Sequence, residues 1–102
     1  DINSSSSNKP DKIKRYVYLF KSETNKYKIG ISNNPLIRIK AFNNPSNNVK
    51  LVCMSNAVYS AYKHEQSLHE KYSNYSIGNE WFDFKDDEAV INNVKQDILN
   101  LI

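Results

Sequence analysis

A chain of 102 residues is long enough for one domain with a modest core. Fourteen lysines and arginines against eleven aspartates and glutamates leave a formal charge of +3, which permits nucleic-acid binding without demanding it. One cysteine, Cys53, excludes an internal disulfide framework, and no run reaches the ~18 apolar residues of a membrane span.

Residues 1–14 read as a flexible linker or tail, with a serine run at 4–7 and little to bury. A second reading makes Lys9, Lys12, Lys14 and Arg15 a basic arm that touches phosphates. The domain proper is expected over 15–102. It opens with two alternating strands, residues 16–21 and 27–32, around a turn. Tyr16, Tyr18 and Phe20 share one face of the first strand; Val17 and Leu19 share the other. In the second strand Tyr27, Ile29 and Ile31 face one way, and Lys28, Gly30 and Ser32 the other.

Asn34 as N-cap and Pro35 at the first position then start a helix predicted to run to about residue 42. The asparagine-rich stretch 43–48 stops it. A third strand is expected over 49–55, with Cys53 as a small apolar residue of the core. A second helix is expected over about 60–72, then a turn-rich connection to residue 80. Trp81, Phe82 and Phe84 form a short extended segment, and a last helix opens at Asp86, Asp87 and Glu88. Ile91, Val94, Ile98 and Leu101 are its apolar stripe. The expected fold is a small α/β (α+β) domain: a three-stranded, mainly antiparallel sheet flanked by helices.

On the second helix Ala61, Leu68 and Tyr72 form one stripe, and Glu65 sits in the middle of it. A carboxylate facing a core is costly unless something neutralises it, so a metal ion, an arginine or another cation is expected beside Glu65. His69 follows one turn later. The HEQSLH run is no zinc-protease HExxH, because its histidines are five apart and cannot bind one ion from one helix face.

Taken together, Tyr16-Val17-Tyr18, Lys28-Ile29-Gly30, Arg38 eight residues after Gly30, Glu65 and the run GNEWFDF at 78–84 resemble the GIY-YIG nuclease superfamily. Tyr16 stands where that family has its first glycine, and Lys28 where it has its second tyrosine. The lysine and the downstream EWF are similar to the branch found in phage and large-DNA-virus proteins, often described only as DNA-binding.

The resemblance implies a set of roles. Glu65 would bind a single Mg²⁺ or Mn²⁺; the other reading is a buried ion pair, for instance with Arg38. Arg38 would grip the scissile phosphate with its forked donors; otherwise it is a solvated helix arginine. Tyr18 would serve the attacking water as general base or as an orienting hydrogen bond, or is an ordinary strand aromatic. Lys28 would supply positive charge or lower the pKa of Tyr18; alternatively it snorkels from a sheet edge. Asn79 is the candidate for the family's late, phosphate-positioning asparagine. Glu80 is a potential partner for a site cation, and Trp81 a core anchor. Tyr16, Gly30 and His69 are candidate supporting residues. Gly30 would allow close approach of a helix or ligand, and His69 would either back the site or pack under the EWF segment.

The expected function is therefore a metal-dependent endonuclease domain hydrolysing DNA phosphodiester bonds. The alternatives are a non-catalytic DNA-binding module of the same fold and a protein-interaction domain. DNA is the expected partner and no membrane is expected. Specificity would come from a further domain joined through the N-terminal linker or from a homodimer. No secretory signal is visible, and an intracellular location is expected, in cytoplasm or nucleus.

Overall fold

The computed structural model describes residues 13–46 and 48–101. The linker reading of 1–14 therefore lies outside the described residues except at Ile13 and Lys14. Ile13 is exposed, and Lys14 Nζ lies 5.2 Å from the centroid of the Tyr59 ring.

The alternating runs form β1 (Tyr16–Lys21) and β2 (Tyr27–Ser32), paired antiparallel with Tyr18 opposite Gly30 and Phe20 opposite Lys28. Asn34 caps α1 (Pro35–Arg38), its side-chain oxygen accepting from Ile37 N at 3.3 Å. The helix expected to reach residue 42 tightens at Ile39–Ala41 into a 3₁₀ turn. β3 (Lys50–Met54) pairs with β1, with a register shift between Leu19 and Phe20. α2 (Ala61–Lys71) follows. Then come β4 (Ser76–Gly78), β5 (Trp81–Phe82) and α3 (Glu88–Leu99), the last capped by Asp87.

The sheet has five strands, not three, in the order β3-β1-β2-β5-β4, and every pairing is antiparallel. Of the two added strands, β5 falls in the extended segment expected at Trp81–Phe84, while β4, three residues long, escapes the sequence pattern. Their two-residue turn has φ of 52° at Asn79 and 71° at Glu80. Positive φ at both central positions is the hairpin geometry that Asn-Gly normally signals, and here glutamate occupies the glycine place. The extra hairpin also makes β2 the middle strand of the sheet.

The two sheet faces differ. One carries the main core: Val17, Leu19 and Ile29 packed with Ala61 and Leu68 of α2, with its C-cap Tyr72, and with Ile91, Val94 and Ile98 of α3. Phe82 and Phe84 stack at 5.7 Å between ring centroids and extend this core. Cys53 packs against it half-buried, and burial raises its thiol pKa. The opposite face carries a smaller aromatic cluster of Tyr18, Phe20 and Val49, bordered by Ile39, Phe42 and Trp81. Among the described residues no helix is long and apolar enough to cross a membrane.

Candidate functional site

Of the side chains singled out from sequence, Tyr18, Lys28, Arg38 and Trp81 lie at the smaller face, while Glu65 and His69 come from α2 on the other. Tyr18 is buried on β1, and its ring stacks on Phe20 at 3.9 Å between centroids. The ring also lies over Gly30, where a Cβ would stand 2.6 Å from Tyr18 Cζ. Gly30 thus admits the tyrosine ring across the strand pair, rather than a helix or a ligand as its sequence context suggested.

Arg38 ends α1, and its guanidinium lies 5.1 Å from the Phe42 ring centroid and beside the Tyr18 hydroxyl. Burial raises the Tyr18 pKa above that of an ordinary tyrosine; Arg38 works against that rise, while the carboxylates of Glu80 and Glu65 add to it. The cation acting on Tyr18 is therefore Arg38 rather than Lys28.

Lys28 does not snorkel from a sheet edge. It lies on the middle strand, only 5% exposed. Its ammonium donates to Glu80 Oε1 at 2.9 Å and to the Asn79 carbonyl at 3.3 Å. The rings of Phe42 and Trp81 cover it, with centroids 5.0 and 5.7 Å away. The β4–β5 turn is held by this ammonium, and Asn79 contributes to it through its backbone.

Glu65 is 4% exposed, as its place in the apolar stripe of α2 predicts. Among the described residues it makes no ion pair, so the alternative reading, a pair with Arg38, does not form. Gln66 Nε2 donates to it at 3.3 Å. Burial pushes the Glu65 pKa up first and the Glu80 charge pushes it further, while His69, Gln66 and Lys28 offset part of that rise. Among the described residues no group of three or more His, Cys, Asp or Glu gathers in a cage.

His69 holds α2 against the sheet. The β2–β5 ladder ends at Lys28 and Trp81. The Ile29 amide donates to the Glu80 carbonyl at 3.2 Å, and His69 Nε2 lies 2.8 Å from the Ile29 carbonyl. A carbonyl only accepts, so Nε2 carries the proton. The His69 ring also meets Phe82 edge-on at 5.3 Å, which places it under the EWF segment. Tyr16 lies at the strand end opposite Ser32, half-buried and two positions before Tyr18.

Glu80 is the member of this group that sequence reasoning placed lowest. It pairs with Lys28 and acts electrostatically on both Tyr18 and Glu65. The available signal was its position in a glycine place of a hairpin turn, which only the fold makes visible.

No curated protein and no solved structure matches the chain. The family model of the T5orf172 domain matches residues 15–99, most of its length and every element described above. The chain belongs to the T5orf172 domain family.

Proposed function

We propose that this domain binds DNA and hydrolyses its phosphodiester bonds as a metal-dependent endonuclease of the GIY-YIG type. The observation that carries the reading is Glu65. It is a buried carboxylate with no ion-pair partner among the described residues, and it lies within electrostatic reach of Tyr18, Lys28 and Glu80. Such a group is expensive unless a cation completes it. Membership of the T5orf172 family and the motif resemblance support the same substrate.

The donor chemistry fits one hard divalent ion. Carboxylate oxygen suits Mg²⁺ or Mn²⁺, and Mg²⁺ commonly takes one or two protein carboxylates and fills its shell with water and phosphate oxygen. Glu65 would hold that ion, whose contribution would be neutralising charge on the phosphate and the leaving oxygen.

The chain's own residues would do the rest. Arg38 would grip the phosphate with two parallel N–H donors and stabilise the charge that builds as water attacks phosphorus and the P–O bond to the leaving oxygen breaks. Tyr18, whose raised pKa keeps its hydroxyl protonated at neutral pH, fits the orienting role better than that of general base. Lys28 would add positive charge to the floor, and an entering phosphate would compete with Glu80 for it.

A specific observation favours a second reading, a DNA-binding module without catalysis. The position that resembles the family's second tyrosine is a lysine already committed to Glu80. Metal dependence separates the two. Supercoiled plasmid incubated with the purified chain is nicked in Mg²⁺ or Mn²⁺ and spared in EDTA if the first reading holds. Binding that is equal in EDTA and Mg²⁺, without nicking in either, establishes the second.

A further inference from the structure

A cavity of about 340 Å³ opens beside Arg38, lined by Arg15, Ile31, Ser32, Asn33 and Arg38. Its size falls in the ~300–1,000 Å³ range of ligand pockets. Two guanidinium-bearing residues border it, and no carboxylate is among its described lining. Neither arginine makes an ion pair among the described residues. Two other depressions differ in this respect: one includes Asp86 and Glu88 beside Lys21 and Lys95, the other Glu23 beside Lys21 and Lys50.

The walls are held in place by backbone. Arg15 exchanges two main-chain hydrogen bonds with Val58, N to O at 3.0 Å and O from N at 2.8 Å. Ser32 Oγ accepts from Asn34 N at 3.0 Å, which leaves its own proton free to donate. Arg38 borders both this cavity and the Tyr18 hydroxyl.

We infer that this cavity is a second backbone-phosphate subsite, in which Arg15 and Ser32 hold the phosphodiester neighbouring the one gripped by Arg38. The inference rests on the DNA-binding reading proposed above. Its consequence is register: two phosphates held on one strand fix which bond lies at Tyr18 and in which direction the strand runs. Forked arginine donors match phosphate geometry, and the serine hydroxyl adds a neutral donor.

The test is fluorescence anisotropy with a labelled DNA duplex in EDTA, read as log Kd against log salt. Each neutralised phosphate contributes about 0.9 to the slope on duplex DNA. Arg15→Gln lowers the slope by about 1, Arg15→Lys keeps it, and Lys95→Gln, which lines a different depression, leaves it unchanged. Circular dichroism on each variant verifies folding. An Arg15→Gln slope equal to wild type overturns the subsite and leaves the DNA-binding reading standing. Equal losses for Arg15→Gln and Lys95→Gln also overturn it, because net charge then explains the effect. No binding by wild type at low salt overturns both.

Discussion

Lys28 and Glu80 are 52 residues apart in sequence and 2.9 Å apart in space. The lysine is buried on the middle strand, while the glutamate side chain keeps 43% of its surface. Losing one partner should therefore differ from losing the other. Glu80→Ala strands a buried ammonium and is expected to cost about 1–3 kcal/mol. Lys28→Met leaves a carboxylate that can turn to water, and its thioether packs against Phe42 and Trp81, so it should cost less. Urea denaturation of both variants checks the order. Equal losses would mean that the ammonium is not the buried, dependent partner.

Gly30 is fitted to the Tyr18 ring. Gly30→Ala places a methyl against Tyr18 and is expected to destabilise by about 1–3 kcal/mol. In a Tyr18→Ala background the same substitution should cost much less, because the clashing ring is gone. Additive losses in the double-mutant cycle would locate the strain elsewhere.

Burial of Glu65 should give the fold a pH dependence. Its native pKa lies above the ordinary carboxylate value, so the folded state binds the proton more tightly than the unfolded chain. The contribution to stability is full below the unfolded value and is lost as pH rises through the raised native one. Glu65→Gln should remove that slope and be the more stable protein at neutral pH. Millimolar Mg²⁺ should then stabilise wild type at neutral pH and leave Glu65→Gln unaffected. Melting curves across acid and neutral pH, with and without Mg²⁺, read both effects.

Arg38 is the expected charge stabiliser. By analogy with other preorganised donors, Arg38→Ala should lower a single-turnover nicking rate by on the order of 10²–10³. Arg38→Lys, which keeps charge but loses the fork, should recover part of that loss. Full activity in Arg38→Lys would show that charge alone is used.

Much of this arrangement was legible in the chain. β1 and β2 fall at the predicted residues because their alternation is strict and their faces differ sharply. The buried Glu65 follows from helical spacing around Ala61, Leu68 and Tyr72. The extended segment at Trp81 and Phe82 was expected, but β4 and its pairing with β5 did not show, since so short a strand has no period to read and Glu80 hides the turn. The same gap hid which cation Glu80 would pair with and left a sheet edge open as one of two readings for Lys28. Pairing over such a separation is set by sheet order, which local pattern does not encode.

In the proposed mechanism Glu65 serves hydrolysis rather than binding. The most direct measurement pairs plasmid nicking in Mg²⁺ with duplex binding in EDTA for wild type and Glu65→Gln. Wild type should nick, and Glu65→Gln should bind with unchanged affinity but nick slower by on the order of 10² or more. Nicking that survives in Glu65→Gln, or its absence in a folded, DNA-binding wild type, would contradict it.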